Sequence, residues 1–381
     1  MKLDKYFTKE PCNTGRQFEL DVFKFILIYR LAIVHVFVDG SPEAALDRLS
    51  IPYYFDSVVG GVIGPTRFMI MMGLGLAYTR HNSPNEVFRR GVKIWLTGFV
   101  LNIFRYLLPS LVGYGVTGDY ENFMEPLAYL VFGNDILQFA GLAMMFMSLL
   151  LHLKLSIPKI FALSVGMSIV GTIFRSVDLH NNVLNVILGH FIGIETESGD
   201  PYIYSDFPLL IWFIFYAFGY LFGYYYQRLK NKDRFYNIVS PICLVIAVAF
   251  CAWEIVGGFG MMMGEGANVF YHMTTPEAFI CIIACIGFLN IPYYISKIVP
   301  ENLKRPIERV SRNVNTIYCI HWVIVFWIVD LLIYCINGST IIPPIPAYLL
   351  GLAIIIVSIY LADVWSKFKF YYKRKRDEKR R

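Results

Sequence analysis

The first apolar stretch of the chain carries ionisable residues at spacings that suit proton chemistry. The run ELDVFKFILIYRLAIVHVFVD contains Asp21, Lys24, His35 and Asp39. On a helix, Lys24 and His35 point the same way and lie ~16 Å apart along the axis. Asp21 and Lys24 are helix neighbours, and so are His35 and Asp39. Such a line of groups within a bilayer needs the bundle interior, a water-filled path or a polar ligand.

His35 followed by Asp39 is the arrangement of a general base. A carboxylate bonded to one imidazole nitrogen fixes the tautomer and leaves the other nitrogen basic. Two plainer interpretations stay open. Lys24 can snorkel to the cytoplasmic interface, and His35 can be a histidine that is satisfied by a neighbouring helix. The shared face and the adjacent carboxylate favour a functional interpretation.

Further polar groups lie in other apolar segments at similar depth. Arg67 stands in the second predicted span, Arg105 near the outer end of the third, and Asp135 at the start of the fourth. We expect them to meet His35 in one cavity in the outer half of the membrane, because buried arginines need anionic partners. A purely structural Arg67–Asp135 ion pair is the alternative.

Composition predicts the elements that position these residues. The 381 residues are 56% hydrophobic and 16% charged, with a mean hydropathy of +0.53, which is too apolar for a soluble protein. Hydropathy predicts an all-α, polytopic membrane protein of about ten transmembrane helices in one bundle. The predicted spans lie near residues 20–38, 58–79, 88–109, 132–153, 157–175, 207–228, 237–256, 276–297, 313–336 and 343–366. The short apolar segment 182–194 is predicted to be re-entrant or interfacial.

Charge placement predicts the orientation of this bundle. Most of the 34 Lys and Arg residues fall in alternate loops and at both ends of the chain, whereas the opposite loops are acidic. By the positive-inside rule, both termini are cytoplasmic. The basic balance therefore reflects topology, and we expect no nucleic acid partner. The tail KRKRDEKRR either anchors to anionic lipid headgroups or is a solvated tail.

We expect a single domain over residues 1–381. It comprises a cytoplasmic N-terminus (1–19), the helical bundle (20–366) and a basic cytoplasmic tail (367–381). The seven cysteines show no metal-binding spacing. We therefore expect reduced, mostly buried thiols and no metal.

Several motifs together resemble one family. The run DVFKFILIYRLAIVH is similar to the first-helix signature of the membrane acyltransferase-3 superfamily, an Asp, a basic residue three positions later, ten residues and a His. These positions are Asp21, Lys24 and His35 here. The family more often has Arg at the Lys24 position, and Lys lacks bidentate phosphate recognition.

Later motifs extend this resemblance over most of the chain. GPTRFMIMMGLGLAY resembles the second-span segment of the family. GNDILQFAGLAMMF and FPLLIWFIFYAFGYLFGYYY resemble the branch that includes heparan-α-glucosaminide N-acetyltransferase and its bacterial relatives. SRNVNTIYCIHWVIVFW resembles the late helix of the family, where Tyr318 and His321 stand here.

The resemblance implies acyl transfer across a membrane. Acyl-CoA, with acetyl-CoA as the first candidate, would be the co-substrate and would bind from the cytoplasm. The acyl group would pass to a hydroxyl or amine of an extracytoplasmic carbohydrate. His35, poised by Asp39, would be the base, and Arg67 or Arg105 would stabilise the oxyanion. The expected location is a cell membrane, with the bacterial plasma membrane implied by the relatives.

The same resemblance suggests binding residues on both sides of the membrane. Cations would hold the CoA phosphates, and the candidates are Lys24, Arg80, Arg89, Arg90, Lys93, Lys304, Arg305, Arg309 and Arg312. Tyr318 and His321 would line the CoA channel, unless His321 is a core histidine. Tyr53 and Tyr54, with acids including Asp135, suit sugar binding, although Tyr is also enriched at membrane interfaces.

Two other classes of protein compete with the enzyme. Charged groups along one intramembrane helix also suit a transporter or flippase of a polar envelope metabolite. The absence of an internal repeat argues against a secondary transporter. An inert structural membrane protein is disfavoured by the number of ionisable groups within the spans.

Overall fold

The computed structural model describes residues 5–40, 64–125, 127–194, 205–255 and 271–378, and these are mostly helical. Strand-like pairing in these ranges is limited to isolated bridges. The α-helices are α1 Phe18–Gly40, α2 Gly64–Tyr78, α3 Pro84–Asn102, α4 Leu108–Thr117, α5 Tyr120–Phe123, α6 Leu127–Phe132, α7 Ile136–His152, α8 Ile157–Ile173, α9 Asn182–Leu188, α10 Leu209–Tyr226, α11 Lys232–Arg234, α12 Ser240–Ile255, α13 Thr275–Phe288, α14 Asn290–Ile298, α15 Glu301–Arg312, α16 Val314–Val325, α17 Tyr334–Asn337 and α18 Pro344–Glu378.

The prediction of an all-α membrane protein is confirmed. Among the described residues, six helical stretches are long and apolar enough to cross a membrane. They are Pro84–Thr117, Leu209–Tyr226, Lys232–Phe250, Thr275–Ile298, Val314–Asn337 and Pro344–Lys375. Two further apolar helices, α7 and α8, are shorter, and α1 combines its apolar run with five charged residues. Ten spans and cytoplasmic termini stay predictions.

The chain forms two compact units. The first takes its described residues from 5–16, 64–103 and 125–290, and the second takes them from 17–40, 104–124 and 291–378. The expectation of a single domain over the whole chain stays a prediction.

In the first unit, α2 and α10 touch backbone to backbone. A Cβ atom on Gly73 would lie 2.0 Å from the carbonyl oxygen of Tyr216. A Cβ atom on Gly219 would lie 2.0 Å from the carbonyl oxygen of Ile70. Small residues allow such close crossings, which are typical of helices packed in membranes. The two glycines therefore fix how α2 meets α10.

In the second unit, α1 is clamped by later helices. Ala32 of α1 and Ala347 of α18 are fully buried, and a Cβ atom on Gly351 would lie 2.6 Å from Cα of Ile33. Near the start of α1, the Ser311 hydroxyl donates to Oδ1 of the buried Asp21 at 2.6 Å. This packing holds α1 along its length and fixes the direction in which His35 points.

Three π-helical segments interrupt the α-helices, at Ile103–Leu107, Phe235–Val239 and Phe326–Ile333. A π-helical turn is wider than an α-helical turn and is frequent at functional sites. Arg105 lies within the first of these segments. His321 and Trp322 lie in the last turns of α16, just before the third segment.

Candidate active site

Two histidines from opposite ends of the chain meet in the second unit. The ring centroids of His35 on α1 and His321 on α16 are 5.4 Å apart. His321 is fully buried, with 0% exposure, and His35 is partly buried. Helix α1 packs against α16 and α18, which places the two imidazoles on facing helices. The sequence motifs predicted His321 either in the CoA channel or as a core histidine, and they did not predict its pairing with His35.

Trp322 lies against both imidazoles. Its ring centroid is 3.9 Å from that of His35 and 5.3 Å from that of His321. The indole also stacks on Phe326, with centroids 5.4 Å apart. The Trp322 ring is therefore held between the histidine pair and the start of the π-helical segment Phe326–Ile333.

Arg105 supplies a buried positive charge beside this cluster. Its side chain is 1% exposed, and its Cζ atom lies 5.1 Å from the Trp322 ring centroid and 4.4 Å from that of Tyr106. A guanidinium over aromatic faces is stabilised by cation–π attraction, which is stronger away from water. The guanidinium of Arg105 thus lies over the same ring that contacts both His35 and His321.

The hydrogen bonding of His321 defines which nitrogen can accept a proton. Its Nδ1 lies 3.3 Å from the carbonyl oxygen of Ile317. A carbonyl oxygen only accepts, so Nδ1 carries the hydrogen and Nε2 of the neutral ring is a free lone pair. Within the described residues, His321 Nε2 is buried and has no hydrogen-bond partner. The same is true of Trp322 Nε1, which can only donate.

The cluster thus combines a proton acceptor, a neutral donor and a cation in an apolar setting. A positioned imidazole can remove a proton from a nucleophile as it attacks. Preorganised donors and cations can stabilise the negative oxygen that forms at a carbonyl. The arrangement of His321, Trp322 and Arg105 can therefore support acyl transfer.

Other predicted residues of the second unit fall near this cluster or along α1. The Tyr318 ring packs edge-on against His321 with centroids 5.4 Å apart. Lys24 is partly buried on α1. Asp39 lies in α1, but its side chain is outside the described part of the chain, and so are Tyr53 and Tyr54. The expected support of His35 by Asp39 stays a prediction.

The predicted phosphate-binding cations of the second unit differ in their surroundings. Arg309 Nη1 lies 3.6 Å from Asp363 Oδ1. The same carboxylate accepts from Lys367 at 2.8 Å. Arg312 is exposed at the end of α15. Arg309 and Arg312 are thus both exposed, and Arg309 in addition faces the carboxylate of Asp363.

Among the predicted residues of the first unit, Arg67 is the most buried, at 3% exposure. Its Cζ atom lies 4.7 Å from the ring centroid of Phe288. Asp135 caps the start of α7, because its carboxylate accepts from the backbone N–H of Ile136. This capping role is a structural reason for Asp135, and its expected part in substrate binding stays a prediction.

The basic residues that follow α2 are on or near the surface of the first unit. Arg80 and Arg89 are exposed. Arg90 is half-buried, and its Nη2 donates to the carbonyl oxygen of His81 at 2.6 Å. The role of these three arginines in binding CoA phosphates stays a prediction.

The sequence motifs did not point to Trp322 or Tyr106 as site residues. The available signal was the pair of neighbours His321 and Trp322, an aromatic N–H donor directly after a histidine in an apolar span. Tyr106 follows Arg105 in the same way. The described residues contain no group of three or more His, Cys, Asp or Glu side chains placed to hold a metal ion.

Comparison with known proteins gives one match. A family model, described as an acyltransferase domain of the acyltransferase-3 type, matches residues 17–364. No curated protein and no solved structure matches the chain. The matched range begins just before α1 and ends within α18, so it includes His35, Arg105 and His321.

Proposed function

Because the chain belongs to the acyltransferase-3 family over residues 17–364, we propose that it moves an acyl group from acyl-CoA to a hydroxyl or amine of an extracytoplasmic acceptor. The observation that carries this proposal is the pairing of the partly buried His35 with the fully buried His321, beside the buried Arg105. Paired imidazoles next to a buried cation suit the deprotonation of a nucleophile and the stabilisation of an oxyanion.

The reaction follows from the chemistry of these groups. The acceptor oxygen or nitrogen attacks the thioester carbon, and an imidazole of the pair takes its proton. We assign this role to His35, and the free Nε2 of His321, on the facing ring 5.4 Å away between centroids, can take the proton on from it. The carbonyl electrons move to oxygen, facing the charge of Arg105. Collapse of the adduct breaks the carbon–sulfur bond, and the CoA thiolate takes up the proton.

The donor is acetyl-CoA or a close relative in this proposal. Its phosphates need cations on the cytoplasmic side, and Lys24 and Arg312 of the second unit have the right charge. Lys24 stands three helical turns from His35 on α1, and pantetheine is long and thin enough to follow such a face of ~16 Å.

A carbohydrate is the proposed acceptor. The second unit has exposed Tyr120 and Tyr114, at 59% and 41% exposure, beside Asp119. Aromatic rings can stack on the faces of sugars, and carboxylates can accept hydrogen bonds from sugar hydroxyls. The resemblance of two spans to the heparan-α-glucosaminide N-acetyltransferase branch supports an amino sugar among the acceptors.

Radiolabelled acetyl-CoA tests the enzyme against a transporter or flippase. The purified full chain is incubated with acetyl-CoA labelled in its acetyl group and with glycan isolated from cell envelopes. An acyltransferase releases CoA thiol and moves the label to the glycan. Counterflow of label without bond cleavage would instead show a transporter and would overturn the proposal.

A further inference from the structure

The indole N–H of Trp322 is a buried donor that finds no acceptor in the part of the protein that the structure describes. Within the described residues, Trp322 Nε1 makes no hydrogen bond although it is shielded from solvent. Buried N–H groups are normally paired, because leaving one unpaired costs free energy. A donor left open beside two imidazoles and a buried cation indicates that a ligand supplies the acceptor.

A second tryptophan on the same helical stretch provides a contrast. Trp327, within the π-helical segment that follows α16, donates its Nε1 hydrogen to the carbonyl oxygen of Phe104 at 2.9 Å. Trp327 is also the more exposed of the two, at 36%. Over the described ranges, the N–H of the more exposed indole is therefore paired, whereas the shielded N–H of Trp322 has no acceptor.

The open donor lies next to an open acceptor. His321, the residue directly before Trp322, presents Nε2 as a buried lone pair without a partner in the described part of the chain. The Trp322 ring lies 3.9 Å from the His35 ring and 5.1 Å from Cζ of Arg105. A molecule that brings both a carbonyl oxygen and a hydroxyl or amine would satisfy the two groups together.

We propose that Trp322 is a catalytic residue whose indole Nε1–H donates to the carbonyl oxygen of the acyl thioester. This assignment rests on the proposed acyl transfer. As the nucleophile adds to the carbonyl carbon, the electron pair moves to the oxygen that Trp322 holds. Arg105, whose Cζ atom lies 5.1 Å from the indole centroid, adds its charge to the same region. The oxygen returns to a carbonyl when the CoA thiolate leaves.

The stacking of Trp322 keeps its donor in a fixed direction. The ring packs on Phe326 with an interplanar angle of 30° and a centroid distance of 5.4 Å. It packs on His35 at 42°. A preorganised donor is effective because it does not have to reorient when charge develops.

Infrared spectroscopy of bound acetyl-CoA tests this role directly. The probe is acetyl-CoA with an isotope-labelled thioester carbonyl, bound to the purified full chain. A hydrogen bond from Trp322 lowers the carbonyl stretching frequency. In Trp322→Phe we expect the frequency to rise, acetyl-CoA affinity to stay within about two-fold, and turnover to fall by about 10²–10³-fold, the usual loss for one oxyanion donor.

Trp327→Phe is the matched control because it removes an indole from the neighbouring turn whose donor is already satisfied. It should leave the carbonyl frequency unchanged. Benzothienylalanine at position 322 replaces the indole N–H by sulfur with the same ring shape, and it provides the test if Trp322→Phe does not fold. An unchanged frequency with either substitution would overturn the role of Trp322. Failure of the unmodified protein to bind acetyl-CoA would overturn the proposed function itself.

Discussion

For individual residues, the proposed acyl transfer depends on which side-chain atoms are left free to react. The Ile317 carbonyl holds the Nδ1 hydrogen of His321 and leaves Nε2 as the basic nitrogen. The ring centroid of His35 lies 5.4 Å from that of His321, and Arg105 is buried next to the two histidines. The chemistry of the site is therefore set by a few contacts within the second unit, and each contact can be removed separately.

Removing either imidazole should abolish most turnover. We expect His35→Ala and His321→Gln each to lower acyl transfer by about 10²–10⁴-fold, the usual contribution of general base catalysis. The double variant should lose little more, because residues that act as a unit are not additive. Release of CoA thiol measures the effect, and His152→Ala, at an exposed histidine on α7, is the control. Full activity in His321→Gln would show that His321 is a structural core histidine with no part in catalysis.

Lys24 should act on binding more than on chemistry. Lys24→Ala removes the charge proposed to meet a CoA phosphate, so the Kd for CoA should rise while turnover at saturation stays close to normal. Lys24→Arg should bind CoA at least as well, because a guanidinium contacts a phosphate through two donors. Calorimetry of CoA binding to the three proteins measures this order. Equal affinity in all three would exclude Lys24 from the nucleotide site.

At the scale of elements, close helix crossings and π-helical turns position the site. The fully buried Ala32 and the contact of Gly351 with Ile33 hold α1 against α18. The π-helical segment Ile103–Leu107 turns Arg105 inward. A regular α-helix through these residues would point that side chain in another direction, since each π turn shifts the register of the residues that follow.

The crossing of α2 and α10 offers a test of packing. In Gly73→Ala the new methyl group would lie 2.0 Å from the Tyr216 carbonyl oxygen, so the helices must separate. We expect a loss of about 1–3 kcal/mol, the range for overpacked sites, measured by thermal unfolding in detergent. Gly75→Ala is the control, because nothing lies within 4 Å of its Cβ position. Equal unfolding temperatures for Gly73→Ala and Gly75→Ala would contradict the close crossing of α2 and α10.

A carboxylate network near α5 predicts a pH dependence. Hydrogen bonds from Tyr334, and then from Asn122, hold the pKa of Asp119 below its ordinary value. A carboxylate with a lowered pKa stabilises the fold above its ordinary pKa, and this contribution is lost as the pH falls through the lowered value. Tyr334→Phe removes the hydrogen bond that lowers the pKa of Asp119 most, so the loss of stability on acidification should occur at a higher pH. Hydrogen exchange of residues 118–124 measures it, and an unchanged pH profile would contradict the network.

For the whole molecule, the hydropathy of the sequence predicts the fold class but does not predict which distant residues come into contact. Apolar runs predicted the all-α membrane class, and the late motif with Tyr318 and His321 lies at the site. The contact between His35 and His321 could not be predicted, because it depends on which faces of α1 and α16 meet, and hydropathy has no such information. Asp135 shows a different limit: its position before α7 is a simple capping pattern, which accounts for the residue type, and its part in substrate binding stays a prediction.

The proposed reaction also makes a claim about sides of the membrane. The acidic loops and the basic loops alternate along the sequence, so donor and acceptor are expected in different compartments. Exposed Cys12 provides a native reporter of the basic side. An impermeant maleimide should label it in inside-out membrane vesicles and not in intact cells. Labelling of Cys12 in intact cells would reverse the predicted orientation.

The most direct test of acyl transfer across the membrane uses sealed proteoliposomes with one protein orientation. Labelled acetyl-CoA is supplied on the side of Cys12 and envelope glycan on the other side. The account predicts labelled glycan in one compartment and free CoA thiol in the other, with both lost in His35→Ala. Intact labelled acetyl-CoA crossing to the glycan side, or transfer that persists in His35→Ala, would contradict it.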